Sequence, residues 1–145
     1  MATVTVVRAI KAPPDVVFRT VADPRQFAKA IAGVTGLEFL SKTTAGVGTR
    51  FRQTRVMKGK SSTMDFEVTE YVKDQRVRIV NETHGTIWDS VFTVERDGDA
   101  TTLTMRMDTK SERLLPRIMM PLICLLIKKA VEGDMDAVKA SCERR

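Results

Sequence analysis

Residues 51–80 read FRQTRVMKGKSSTMDFEVTEYVKDQRVRIV, and this stretch decides the fold. Two short polar breaks, KGK at 58–60 and KDQ at 73–75, divide it into three runs rich in β-branched and aromatic residues. Within the middle run Met64, Phe66 and Val68 alternate with polar residues, which is the period-two signature of a strand with one buried face. Breaks this short leave room only for antiparallel neighbours. The same grammar continues downstream, where HG at 84–85 and DGD at 97–99 separate further strand-like runs. Strands are therefore expected near 47–57, 62–72, 76–83, 86–95 and 101–108, as one meander. AGVGT at 45–49 carries two glycines but no helix follows, so it reads as a hairpin rather than a dinucleotide loop.

Upstream, residues 2–10 alternate as another strand, and 35–41 as a further one. Between them lie two short helical patterns. Pro13 and Pro14 suit a helix start, Asp15 favours its N-terminal dipole, and Val17, Phe18 and Val21 share one face. Asp23 then precedes Pro24, with Gln26 three residues on, close to a capping box; Gly33 is placed to stop this second helix. Downstream, residues 112–143 read as one long helix, with Pro116 in its first turn and Pro121 as a kink or its true start. Lys128, Lys129, Glu132, Asp136, Lys139 and Glu143 form its polar side, opposite Ile123, Ile127, Ala130, Val131, Val138 and Ser141. A single antiparallel sheet with one apolar face needs a cover, and this helix is the only element large enough.

The chain has 145 residues, 43% hydrophobic and 29% charged, the composition of a globular domain. No run of about 20 apolar residues offers a transmembrane helix, and the start MATVTVVRAIKAPP lacks the pattern of a signal peptide. The expected location is the cytoplasm, with no stable membrane insertion. The net charge is +6, but the basic residues are scattered and aromatics are only 6%. The densest run, Arg50, Arg52, Arg55, Lys58 and Lys60, reads as a solvated strand face, with an anionic ligand or membrane surface as the alternative, rather than as a nucleic-acid interface. Cys124 and Cys142 are eighteen residues apart on the long helix. That is about 27 Å, too far for a disulfide. Both are expected reduced and buried, and no metal or other cofactor is expected, since there is no second Cys or His pair.

The stretches IKAPPDVVFRTVADPRQF, GVGTRFRQTRV, FEVTEYVKDQRV, DGDATTLTM and DMDAVKASCE together resemble the START-like, helix-grip superfamily, also called SRPBCC. Within it they are most similar to the polyketide cyclase/dehydrase and lipid-transport branch. Asp134, Val138, Lys139 and Glu143 match the recurrent spacing in the last helix; Ala32 departs from the proline that relatives carry before the Gly33-Val34 pair. The resemblance covers nearly the whole chain, 1–145, as one domain. It implies an α+β helix-grip fold: a seven-stranded antiparallel sheet wrapped around the long C-terminal helix, with two short helices between strands 1 and 2. It also implies a deep cavity between sheet and helix for a hydrophobic small molecule.

Alternation assigns the wall of that cavity. Phe51, Gln53 and Arg55 share a face, as do Met64 and Phe66, Ser90 and Phe92, and Leu103, Met105 and Met107; Trp88 adds an indole N–H, and Met119 and Ile123 come from the helix. Lys58, His84 and Arg113, with Lys60 and Lys110, are expected at the mouth, because every second turn of a meander lies at one end. The apolar run LLPRIMMPLICLLI beside them is expected to gate the entrance or to form a dimer interface, so monomer and homodimer both remain open. Asp134 falls on the apolar side of the helix and is expected to be buried and hydrogen-bonded to a lid or sheet backbone. None of Gln53, Arg55, Trp88 and Ser90 is a general base near neutral pH, and the single histidine falls in a turn. The residues favour a carrier or sensor of a lipid-like or polycyclic ligand over the alternative, a cyclase/aromatase or dehydratase.

Overall fold

The computed structural model describes residues 2–83, 85–111 and 120–144. Seven strands form one sheet: β1 (Ala2–Ile10), β2 (Val34–Phe39), β3 (Arg50–Met57), β4 (Lys60–Val72), β5 (Arg76–Thr83), β6 (Thr86–Asp97) and β7 (Ala100–Ser111). Two short helices, α1 (Pro14–Ala22) and α2 (Pro24–Ala30), join β1 to β2, and α3 (Met120–Glu143) follows β7. The strand order is β1-β7-β6-β5-β4-β3-β2, and every described pair is antiparallel. The meander from β3 to β7 is as the turns predict. The β2–β3 connection is not a tight hairpin, since β3 begins only at Arg50; the intervening loop folds on itself, with Gly46 and Gly48 at positive φ and Thr49 bonded back to the Gly46 carbonyl.

β1 and β2 are neighbours in sequence but lie at opposite edges of the sheet. Laid flat, the six spacings between them would span about 29 Å. A connection made mostly of two short helices bridges them because the sheet curls, helped by the register shift between Val68 and Glu70 in β4. The two helices therefore link both edges. α1 inserts Val17, Phe18 and Val21 into the core, and Phe18 meets Tyr71 edge to face at 5.3 Å. α2 is capped by Asp23, whose carboxylate accepts from the Arg25 N–H. Gly33 does not end α2 through a left-handed turn, as expected; the helix closes at Ile31, and Gly33 lies where a Cβ would come within 2.9 Å of the Val56 carbonyl. Its missing side chain is what lets the start of β2 approach β3.

α3 lies along β1 and against α1 and α2. Its buried seam is Val131, Met135, Val138 and Cys142, an i, i+4, i+7, i+11 pattern. Met135 and Cys142 replace Ala130 and Ser141 of the sequence reading, because the helix is rotated toward β1. Cys142 is buried against Thr20, whereas Cys124 is only half-buried rather than enclosed; neither forms a disulfide among the described residues. The segment 112–119 of the expected long helix lies outside the described residues.

At about 100° per residue, Asp134 sits on one flank of the seam and Glu132, Asp136 and Glu143 on the other. Each flank is tied to a different side of the sheet. Arg8 of β1 donates to Asp136 at 2.7 Å and approaches Glu132, and the Lys11 N–H donates to Glu143. Arg55 of β3 holds Asp134 with both terminal nitrogens. The helix is thus strapped between one edge strand and the strand next to the opposite edge.

Candidate functional site

Register across the sheet shows which side chains share the concave face. Phe51 lies opposite Phe66, which lies opposite Asn81, then Trp88, then Thr109. A second row runs Val68, Ile79, Ser90, Met107 and Val4. A third, past the β4 bulge, runs Tyr71, Val77, Phe92, Met105 and Val6. Gln53 is opposite Met64 and Leu37. The strand residues assigned to the wall, Phe51, Gln53, Arg55, Met64, Phe66, Trp88, Ser90, Phe92 and Met105, therefore all belong to one face. Met119, with the mouth residues His84 and Arg113, falls outside the described residues, as does the side chain of Ile123.

The rows differ in cover. The third row is sealed by α1 and by the second half of α3: Val77, Phe92, Met105 and Val6 are all buried. In the first two rows Phe51, Asn81, Val68 and Val4 are buried, but Phe66, Ile79, Trp88, Ser90 and Met107 are only partly buried although they sit in the interior of the sheet. These partly buried residues lie toward the end of the sheet that carries the β3–β4 turn and the end of β7. Lys58, Lys60 and Lys110 are exposed there. From Asp136, level with Arg8, the helix rises about 24 Å back to Met120. β1 covers about 20 Å from Arg8 to Ala2, so the start of α3 reaches that end. Its outward face carries Leu122, Leu125 and Leu126, each more than half exposed.

Polar groups on the concave face fall into two kinds. Asn81 is buried and satisfied: its amide nitrogen donates to the Asp65 carbonyl at 2.6 Å, and its oxygen accepts from Thr83. Sequence reading does not single out Asn81, although extending the alternation of Val77 and Ile79 along β5 places it inward. Arg55 and Asp134 read separately in the sequence, one as a cavity anchor and one as a structural acid, and the structure brings them together. Asp134 keeps 27% of its side chain exposed, and its partner is a guanidinium rather than a backbone group. Phe51 and Phe66 stack at 5.2 Å between centroids.

The convex face is a ladder of ion pairs. Arg52 meets Asp65, Arg50 approaches Glu67, and Arg78 is held between Asp89 and Glu70. Those hydrogen bonds raise the pKa of Arg52 and Arg78 further above the usual arginine range and hold the Asp65 carboxyl below that of an ordinary aspartate. The basic run of β3 thus divides: Arg50 and Arg52 are matched by acids outside, and Arg55 turns inward. An open groove of about 660 Å³ lies at the other end of the molecule, between Lys11–Pro14 and the β6–β7 turn. Its lining mixes Lys11, Arg96, Asp97 and Asp99 with Ala12, Pro13, Pro14 and Ala100, and it is open to solvent, unlike an enclosed ligand site. No cluster of three or more His, Cys, Asp or Glu side chains among the described residues could hold a metal ion, and no described helix is long and apolar enough to cross a membrane.

Solved structures share this architecture. A protein from Thermus thermophilus superposes with a TM-score of 0.78 at 20% identity, covering 97% of each chain. A START superfamily protein from Mycobacterium smegmatis gives 0.80 at 15% identity over 98% of this chain and 97% of that one. The di-domain ARO/CYC BexL from the BE-7585A biosynthetic pathway gives 0.82 at 15% identity, with 97% of this chain covering 46% of the larger protein. At these identities the likeness concerns the helix-grip fold alone. A search of curated proteins found no match. The model of one sequence family, however, aligns with residues 1–143, and on that ground the chain belongs to the polyketide cyclase / dehydrase and lipid transport family.

Proposed function

We propose that the protein binds one small hydrophobic ligand against the concave face of its sheet, beneath α3, and acts as a carrier or sensor. The observation that carries this reading is the partial exposure within the first two rows. Phe66, Ile79, Trp88 and Met107 lie on the concave face in the interior of the sheet, yet are only partly buried. Cover over the third row, with partial exposure in the first two, supports a blind pocket with a mouth. The proposed wall is Phe51, Gln53, Met64, Phe66, Trp88, Ser90, Phe92 and Met105, with Met119 and Ile123 contributed by the helix and Lys58, His84 and Arg113 near the entrance. The ion pair that ties Asp134 to Arg55 favours binding over acid–base chemistry, because it occupies both groups.

Trp88 is the only tryptophan and lies on the proposed wall, so it reports occupancy directly. Titration with a fluorescent fatty acid and with a polycyclic aromatic probe is expected to change Trp88 emission saturably, at one site per chain. Native mass spectrometry of the purified protein is expected to show a co-purifying small molecule. Failure of both probe classes to bind, with no adduct in the spectrum, refutes the reading.

A further inference from the structure

We propose that the ligand carries a neutral hydrogen-bonding group, a ketone, amide or hydroxyl oxygen, seated against the side-chain amide of Gln53; the proposal rests on the ligand-binding reading above. Gln53 is only 6% exposed. Among the described residues its amide has no hydrogen-bond partner. No nitrogen or oxygen of a described side chain is both sealed from solvent and unpartnered. The Gln53 amide therefore borders open space while the rest of the residue is enclosed. Its surroundings are apolar: Leu37 and Met64 flank it across the strands, and Phe51 precedes it on its own face. Asn81, the other buried amide of this face, satisfies itself on Asp65 and Thr83. Gln53 is the amide left with capacity to spare.

Two further features fix the character of the group it meets. Arg55 stands two residues on along the same face, about 7 Å away. Its charge is already matched by Asp134, so the wall beside Gln53 offers no unbalanced cation to a carboxylate or phosphate. Phe66 is diagonal to Gln53 through the Gln53–Met64 pair, again about 7 Å away. Phe66 uses one ring face on Phe51 and remains half-exposed. A flat ring laid on Phe66 would carry an oxygen at its edge to the Gln53 amide. An unfunctionalised alkyl or aryl group in the same place would strip water from that amide and return nothing, at a cost of at least about tenfold in affinity.

Three ligands of one shape test this by calorimetric titration of the full chain: 2-acetylnaphthalene, 2-isopropenylnaphthalene and 2-naphthoate. The ketone is expected to bind at least about tenfold tighter than the near-isosteric hydrocarbon, and tighter than the carboxylate. Gln53→Met, close in volume, is expected to bring ketone and hydrocarbon to equal affinity, chiefly by improving the hydrocarbon. Gln53→Asn, which keeps the amide but withdraws it, is expected to retain part of the preference. If the wild type binds ketone and hydrocarbon equally, or if Gln53→Met keeps the full preference, the Gln53 assignment is overturned while the binding reading stands. Tighter binding of the naphthoate overturns the neutral character of the group. Binding of none of the three, together with failure of the fatty-acid and aromatic probes, overturns both readings.

Discussion

The strap between Arg55 and Asp134 makes a quantitative demand on stability. Both side chains are about three-quarters buried, at 23% and 27% exposure, and the pair uses both terminal nitrogens of the guanidinium. Exposed ion pairs contribute no more than about 1 kcal/mol, whereas removing one partner of a fully buried pair costs about 3–5 kcal/mol. Arg55→Met or Asp134→Leu should fall between, at about 2 kcal/mol. For a domain of this size that lowers the melting temperature by about 6 °C. Most of the loss is the stranded charge, so the double variant should cost no more than either single one, which is a coupling energy of about 2 kcal/mol. Arg8 supplies the internal control. Its partners Glu132 and Asp136 are 41% and 63% exposed, so Arg8→Ala should cost no more than about 1 kcal/mol from the lost ion pairs. Urea denaturation of the four variants, followed by circular dichroism, measures all of these. Ligand selectivity is expected to stay unchanged in every variant but Asp134→Leu, which leaves Arg55 as an unmatched cation beside Gln53. Single variants at position 55 or 134 that melt like the wild type, or additive losses in the double variant, would refute the strap. So would Asp134→Leu losing a bound ligand with its stability intact.

Gly33→Ala should destabilise by about 1–3 kcal/mol, because the new methyl meets the Val56 backbone carbonyl and the β2–β3 edge must part; the midpoint of urea denaturation reads it. Leu122→Ser, Leu125→Ser and Leu126→Ser together should leave stability within about 0.5 kcal/mol per site if the outward face of α3 is free. Light scattering on the same samples shows whether self-association covers it. Asp65 titrates below an ordinary aspartate because Arg52 hydrogen-bonds to its charged form. The folded value is depressed, so its stabilisation is complete above about pH 4 and is lost as pH falls through the folded value. Asp65→Asn should accordingly flatten the acid limb of a stability–pH curve and leave the alkaline limb unchanged.

The meander is legible in the sequence because its information is local. KGK, KDQ and DGD set the turns, and period two sets the faces, so the wall residues of β3, β4, β6 and β7 follow without knowledge of any partner. Where sequence reading falls short, the deciding contact is far away in the chain. Gly33 looks like a helix stop, but its reason is the Val56 carbonyl. Met135 and Cys142 fall in the seam because α3 is rotated toward β1, and a wheel drawn from the helix alone cannot know that rotation. Asp134 stands out as an acid needing a partner, but Arg55 lies 79 residues away and looks like a ligand anchor. Gln53 is placed on the wall correctly in face, while its unmatched amide depends on what Leu37, Met64 and the strapped helix leave around it.

The pairing of β1 has a consequence for how the molecule assembles. The described partner of β1 is β7, with Ala2 opposite Thr109 and Ile10 opposite Thr101. Every neighbouring pair from β3 to β7 closes a short loop, but joining β1 to β7 closes one of roughly ninety residues, from Ile10 to Thr101, and the entropic cost of closure rises with loop length. The hairpins of the meander can form while the first strand waits. Its arrival creates the surface on which α3 lies and brings Arg8 to Glu132 and Asp136. The last steps of folding and the closing of the grip are thereby one event, and a nascent chain must carry β1 unpaired until β7 has been made.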